Sequence, residues 1–589
     1  MQTFEIKSGK FLLNGEDFKL YSGAIHYFRT VAEDWEDRLR KLKACGFNTV
    51  ETYVCWNLHE PQPGVFDYSG MLDIVRFLKT AQALGLWAIV RPGPYICSEW
   101  DLGGLPPWLL KDPAMRLRCA YPPYLERVKI FFENFLPLIE PLQITRGGNV
   151  IMVQIENEYG SYGNDHAYLA YCEKLTKGAG IDVPLFTSDG GWENMLTGGK
   201  MPGVLAMANF GSRAKQQFDV LRKYEPEGPW VCCEFWNGWF DHWGGEHHAR
   251  ESAEVVEALN EILDDNGHVN FYMFHGGTNF GFMAGANYYE KYSPTITSYD
   301  DDALLNEYGG YTPKYYAVRE VLLTRQGVPE AEWPALPEEA PLQSIGEVAL
   351  TGQALLFENL SALSQKHMSV MPESMEYYGQ NWGLILYRTQ LQAPQENCDL
   401  LVDGLADRAS VFVDGQLKGR LDRNDPYDTK AQLGLLPNGG QIDVLVEAMG
   451  RVNYGPELHD RKGARQIRIQ NQLLSHYEVY PLPLDDLAGL QFSPIAGRDI
   501  NAPIFLRGEF SAKKQDCFLH LGGLAKGLAF VNGHNLGRYW EIGPQKSLYI
   551  PGAWLRDDAP NELIILELEG GDAKHVNITD LHEIGPRKK

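Results

Sequence analysis

The chain has 589 residues, a formal net charge of −24 and 44% hydrophobic residues, an ordinary globular composition that excludes a disordered or fibrous chain and sets a prior of about two to four domains. So acidic a chain argues against nucleic acid or an anionic membrane as partner, because both are gripped by basic faces. No run of about 18 apolar residues occurs, so the sequence offers no membrane-spanning helix.

The first ten residues, Met1 to Lys10, lack a basic head followed by an apolar core, so no secretory leader is expected there. The nine cysteines are odd in number, scattered and without CxxC pairs, the pattern of free thiols in a reducing compartment, which points to the cytoplasm. Without a leader, the sequons at Asn359 and Asn577 carry no meaning.

From residue 1 to 325, strand-like and helix-like segments alternate. Eight strands are expected: Leu20 to His26, Phe47 to Tyr53, Leu86 to Arg91, Val150 to Glu156, Pro184 to Ser188, Val204 to Asn209, Trp230 to Glu234 and Asn270 to His275. Between them, stretches such as Trp35 to Ala44 and Met71 to Leu78 space their apolar residues at three and four, the helical period. Eight alternations favour a (β/α)8 TIM barrel over a doubly wound sheet. Residues 326–375 read as a linker or wrap-around segment, partly within the β domains that follow. Residues 376–482 and 483–589 turn to short alternating strands and read as two all-β domains of jelly-roll or sandwich type. An internal repeat supports the pair: Phe412-Val-Asp-Gly-Gln-Leu-Lys-Gly-Arg returns as Phe530-Val-Asn-Gly-His-Asn-Leu-Gly-Arg, with Asp-Gly and Asn-Gly marking tight hairpins.

Two glutamates each close an apolar run. Val150-Ile-Met-Val-Gln-Ile delivers Glu156-Asn-Glu158, and Trp230-Val-Cys-Cys delivers Glu234. Carboxylates at the tips of the fourth and seventh strands would face each other across a barrel mouth, where the chemistry of such folds is placed. A pair of carboxyls flanking one bond is what cleavage of a glycosidic bond requires. Extending the strand alternation places Gln154, Glu156 and Glu158 on one face, so a bulge is needed for Asn157 to reach the pocket as well. Trp236, Trp239 and Trp243 crowd the loop after Glu234 as walls or as a stacking platform for the leaving group, and Tyr454 in the first β domain is placed to lean over the same mouth. His242, His247 and His248 lack the spacing of a metal site and read as a solvated turn.

The segments Glu51-Thr-Tyr-Val-Cys-Trp-Asn-Leu-His-Glu-Pro, Arg91-Pro-Gly-Pro-Tyr-Ile-Cys-Ser-Glu-Trp, Gly103-Gly-Leu-Pro-Pro-Trp-Leu, Gln154-Ile-Glu-Asn-Glu-Tyr-Gly and Met273-Phe-His-Gly-Gly-Thr-Asn-Phe-Gly together resemble the glycoside hydrolase family 35 β-galactosidases. They span the first 310 residues in family order, and the β tail resembles that of compact bacterial and animal members, its last domain being galactose-binding-like. The resemblance implies an exo-acting, retaining β-galactosidase, here of bacterial type, with Glu158 as acid/base and Glu234 as nucleophile. It implies that Asn157 bonds the sugar 2-hydroxyl and that Tyr53, Ser98, Glu99 and Tyr272 hold the galactose hydroxyls. Cys97 is expected to pack or to touch the sugar. One departure stands out: relatives carry Ser-Tyr-Asp-Tyr after the eighth strand, whereas this chain reads Ser298-Tyr-Asp-Asp-Asp, with Asp301 at the second Tyr and Tyr299 a candidate to replace its contact.

The substrate expected on this basis is a galactose-terminated oligosaccharide, with β-1,3 linkage to N-acetylhexosamine as the preferred bond. No metal or organic cofactor is expected, and the chain is taken as monomer or homodimer. A β-glucosaminidase and a catalytically silent galactan-binding protein are the rivals, and the β domains either bind sugar or buttress the barrel.

Overall fold

The computed structural model describes residues 2–392, 394–425, 430–495 and 501–586. Eight parallel strands close into a barrel: β1 Tyr21–Ile25, β2 Thr49–Tyr53, β3 Trp87–Arg91, β4 Val150–Gln154, β5 Leu185–Gly190, β6 Leu205–Phe210, β7 Val231–Trp236 and β8 His268–His275. The ring closes where β8 pairs with β1, Val269 opposite Tyr21. Every residue of β1, β2, β4, β5, β6 and β8 is buried. These strands lie between a filled interior and a coat of helices, which is why they read as continuous apolar runs without alternation. All eight overlap the segments expected from sequence, with ends that differ by up to two residues.

The coat forms for local reasons that one helix illustrates. Ile74–Ala83 buries Ile74, Phe77, Leu78 and Ala81, spaced three and four along the chain. The three large side chains contribute about 1.5–3 kcal/mol each. Asp73 accepts a hydrogen bond from the Arg76 N–H at 2.9 Å and starts the helix. Gly85, at φ +74°, follows its end. The apolar pattern begins at Met71, but Gly70–Leu72 forms a separate 3₁₀ turn, so the cap and not the pattern sets the first residue.

Two β units follow the barrel. The repeated motif is a pair of hairpins, Arg408–Val413 with Gln416–Asp422 and Lys526–Val531 with His534–Trp540. Both turns have two left-handed residues: Asp414 and Gly415 at φ +48° and +81°, Asn532 and Gly533 at +51° and +85°. That twist matches paired strands. In each unit a third strand, Gly440–Glu447 or Asn561–Glu567, pairs with the first strand of the hairpin.

The segment between barrel and β units is more than a connection. Gly346–Leu355 lies between Ile504–Phe510 and His575–Thr579 in the sheet of the last unit. His367–Ser369 then pairs with Tyr477–Leu482 in the preceding one. The chain thus starts the last unit, leaves to build the other, and returns. Both units rest on the barrel. The core cluster that contains the barrel strands extends to Leu384, Phe412, Phe505 and Leu566. A buried ion pair, Arg451 to Asp101 at 3.0 Å, ties the middle unit to the loop after β3.

Candidate active site

At the tip of β4 the regular strand stops at Gln154. Glu156 and Glu158 are both left-handed, at φ +57° and +46°, a conformation that costs a residue with a Cβ on the order of 1 kcal/mol. The expected alternation therefore breaks. Glu156 leaves the pocket and is clamped by Arg118 through bonds of 2.9 and 2.8 Å, with Tyr168 donating at 3.0 Å. Asn157 and Glu158 both turn into the mouth. Arg118 also donates to the Asn157 carbonyl at 2.7 Å, which fixes the kink.

The mouth is a cavity of about 340 Å³, within the range of small-ligand sites. Its walls include Tyr53, Cys97, Ser98, Glu99, Asn157, Glu158, Glu234, Trp236, Trp239, Tyr272 and Tyr454. Tyr454 comes from the middle β unit, carried there by Asn453, whose side chain donates to Cys97 Sγ at 3.6 Å and whose carbonyl accepts from Tyr95. Two expected residues lie elsewhere. Trp243 packs instead with Ile296, Ile584 and Trp540, its ring 6.4 Å from that of Trp540, because its loop has turned toward the last β unit. Tyr299 sits behind the wall, where its hydroxyl donates to Glu99. The histidines do not form a solvated turn either: His247 is buried, and it and His248 share the Asp241 carboxylate at 2.7 and 2.9 Å.

The two central carboxyls have opposite surroundings. Glu234 lies within reach of the Arg91 guanidinium and the Tyr53 hydroxyl at 2.7 Å each, and accepts from the Trp236 indole at 3.3 Å. Arg91 and Tyr53 also reach Asn157 Oδ1, at 2.7 and 2.8 Å. These donors suit a carboxylate that acts as an anion. Among the described residues, Glu158 has one side-chain donor, Asn209 at 3.1 Å. Burial, then the charge of Glu234, push its carboxyl up to about 8, so it holds a proton near neutral pH.

A second cluster forms around Glu99. Cys97, Ser98 and Glu99 are three consecutive left-handed residues, at φ +55°, +63° and +47°. Arg29 pins this turn from below, donating to Ser98 Oγ at 2.8 Å, while its guanidinium lies 3.9 Å from the Tyr299 ring. Tyr272 donates to Ser98 Oγ at 3.2 Å. Burial raises the Glu99 carboxyl to about 7, against the Tyr299 hydrogen bond and the Arg29 charge, which lower it. Burial also raises the Cys97 thiol well above its ordinary value.

Several residues of the site were not singled out from the sequence. Trp192, Met195, Phe240, Asn287 and Tyr289 line the cavity, and Asn209 and Arg91 serve the two acids. Asn209 ends the apolar run of β6, a polar residue at a strand tip much as the two glutamates are. Among the described residues, no group of three or more His, Cys, Asp and Glu is placed to hold a metal ion.

The chain is similar to known proteins along nearly its whole length. The profile of "Glycosyl hydrolases family 35" matches residues 10–324, "Beta-galactosidase, first all-beta domain" matches 372–483, and "Beta-galactosidase, galactose-binding domain" matches 503–561. Human "Beta-galactosidase-1-like protein 2" is 41% identical over 585 residues, covering 96% of this chain and 89% of that protein. Human "Beta-galactosidase-1-like protein 3" is 40% identical, covering 96% and 87%. Mouse "Beta-galactosidase" is 41% identical over 603 residues, covering 96% and 92%. With a family profile over the whole barrel and relatives matched along nearly their full length, this chain belongs to glycosyl hydrolases family 35 and is a glycoside hydrolase.

Proposed function

We propose that the chain is an exo-acting, retaining β-galactosidase that releases terminal non-reducing β-D-galactose from oligosaccharides. The observation that carries this is the pairing, in one cavity, of a donor-supported Glu234 with a proton-holding Glu158. The names of the relatives supply the sugar. Ser98, Glu99 and Tyr272 offer polar groups for its hydroxyls, and loss of one such bond rejects a wrong sugar more strongly than a lost methylene would.

In the first step a Glu234 oxygen attacks the anomeric carbon while the glycosidic bond breaks, and Glu158 passes its proton to the departing oxygen. In the second step Glu158 takes a proton from water, whose oxygen attacks the same carbon and displaces Glu234. Galactose leaves with its β configuration, and both acids return to their starting states. Trp192, Trp239, Tyr289 and Tyr454 give the mouth an aromatic rim for the leaving sugar. We assign that sugar as N-acetylhexosamine in β-1,3 linkage, to be checked by comparing kcat/KM across linkage isomers. All nine cysteines are free thiols, which supports a reducing compartment such as the cytoplasm.

The test is galactose release from an aryl β-galactoside by the wild type, Glu234→Gln and Glu234→Gly. The substitutions are expected to abolish release, and azide with Glu234→Gly is expected to yield the α-galactosyl azide. A fully active Glu234→Gln, or a β-configured azide product, overturns the assignment.

A further inference from the structure

The loop after β8 carries a group that the mechanism does not use. Asp301 lines the same cavity as Glu99 and Glu234, is 6% exposed and is left-handed at φ +59°. Among the described residues, no donor reaches its Oδ2, which is buried. The cation nearest by charge, Lys314, is spent elsewhere: it donates to the Asn237 carbonyl at 2.8 Å, to the Asp302 carbonyl at 2.6 Å and to the Asp302 carboxylate.

The position is held rigidly. The Asp301 carbonyl lies 1.7 Å from where a Cβ on Gly238 would stand, and the Tyr299 carbonyl lies 1.6 Å from the same point on Gly276. Only glycine lets the loop settle so closely on the ends of β7 and β8. Asp300 accepts from the Glu307 N–H at 2.8 Å and closes the loop on its other side. A buried carboxyl without a hydrogen-bond partner is costly. A loop fixed on both sides that holds one against a sugar-sized cavity has it ready for a ligand.

We propose that Asp301 is a specificity-determining residue that hydrogen-bonds one hydroxyl of the sugar held beside Glu99. The inference rests on the cavity being a galactoside site. Burial, then the neighbouring charge of Glu99, raise the Asp301 carboxyl well above the usual range, which favours its O–H form, a donor as well as an acceptor for a hydroxyl.

The test uses kcat/KM on an aryl β-galactoside and its 2-, 3-, 4- and 6-deoxy analogues, for the wild type, Asp301→Ala and Asp301→Asn. The wild type is expected to lose about 10- to 100-fold on the analogue that lacks the contacted hydroxyl, the range of one buried hydrogen bond and its stranded partner. Asp301→Ala is expected to show almost no loss at that one position and unchanged losses at the others, and Asp301→Asn, with one donor and one acceptor in the same outline, to recover most of the discrimination. Both variants are expected to melt at or above the wild type, since each removes a buried carboxyl that lacks a partner. If Asp301→Ala keeps the wild-type losses at every position, or melts well below the wild type, the proposal is overturned. A wild type inert on every galactoside refutes the β-galactosidase assignment instead. Calorimetric binding of galactose and its deoxy forms then decides the Asp301 contact by the same pattern, and no binding by the wild type overturns it too.

Discussion

Replacing Glu158 with Gln is expected to abolish hydrolysis and also to stabilise the fold at neutral and alkaline pH. Burial and the Glu234 charge raise the Glu158 carboxyl from its ordinary 4.5 to about 8, against the Asn209 hydrogen bond, which lowers it. A carboxyl with its folded-state value above its unfolded one favours the protonated folded state. It costs little below the unfolded value, costs progressively more as pH rises through the window between the two values, and costs its full amount above the folded value. The shift alone gives about 1 kcal/mol at pH 5 and about 4 kcal/mol at pH 8. Glu158 is open to the cavity on one side, where water screens the charge, so about 2 kcal/mol is expected at pH 8. For a barrel of about 300 residues that corresponds to about 3 °C in Tm. Thermal melts of wild type and Glu158→Gln at both pH values provide the assay. The variant is expected to melt about 3 °C higher at pH 8 and within about 1 °C of wild type at pH 5. A difference that does not change with pH, or a less stable variant at pH 8, refutes the reasoning.

The proton that Glu158 gives the leaving group sets the alkaline limb, so kcat/KM falls as pH rises past about 8. Asn209→Ala removes the bond that lowers this value, and its pH–rate profile is expected to shift to higher pH. Tyr53→Phe deletes a hydroxyl 2.7 Å from Glu234 and is expected to lower kcat about 10- to 100-fold in steady-state assays. Trp243→Phe leaves kcat/KM on a small aryl galactoside within about twofold but lowers Tm, since only packing against Ile296, Ile584 and Trp540 is disturbed. Arg118→Met strands the buried Glu156 carboxylate and costs about 3–5 kcal/mol, measured by melting; pairing it with Glu156→Gln recovers most of the loss.

The barrel was legible because its strands are buried on both faces and its helices carry a clear apolar period; local sequence suffices for both. The hairpin repeat was legible because Asp-Gly and Asn-Gly specify their turns. Gly346–Leu355 was harder to place, as its partners lie more than 140 residues downstream and no local pattern announces a pairing at that range. In the site, Glu158 and Glu234 stand out as acids that end apolar runs. Glu156 could not be separated from them by alternation, because two left-handed residues reverse the faces. Trp243 looked like its neighbours Trp236 and Trp239, and only the docking of the last β unit distinguishes it. Trp192 and Tyr289 are brought to the rim by loops whose course depends on packing, not on sequence pattern.

The most direct test of the central claim is to trap the covalent intermediate. A 2-deoxy-2-fluoro-β-galactoside with a good leaving group slows the second step more than the first, so the glycosyl-enzyme accumulates and can be digested and mapped by mass spectrometry. One fluorogalactosyl group is expected, on the peptide containing Glu234 and absent from Glu234→Gln. Label on another residue, or turnover without label giving 2-deoxy-2-fluorogalactose of inverted configuration, would contradict the assignment of Glu234 and the retaining mechanism together.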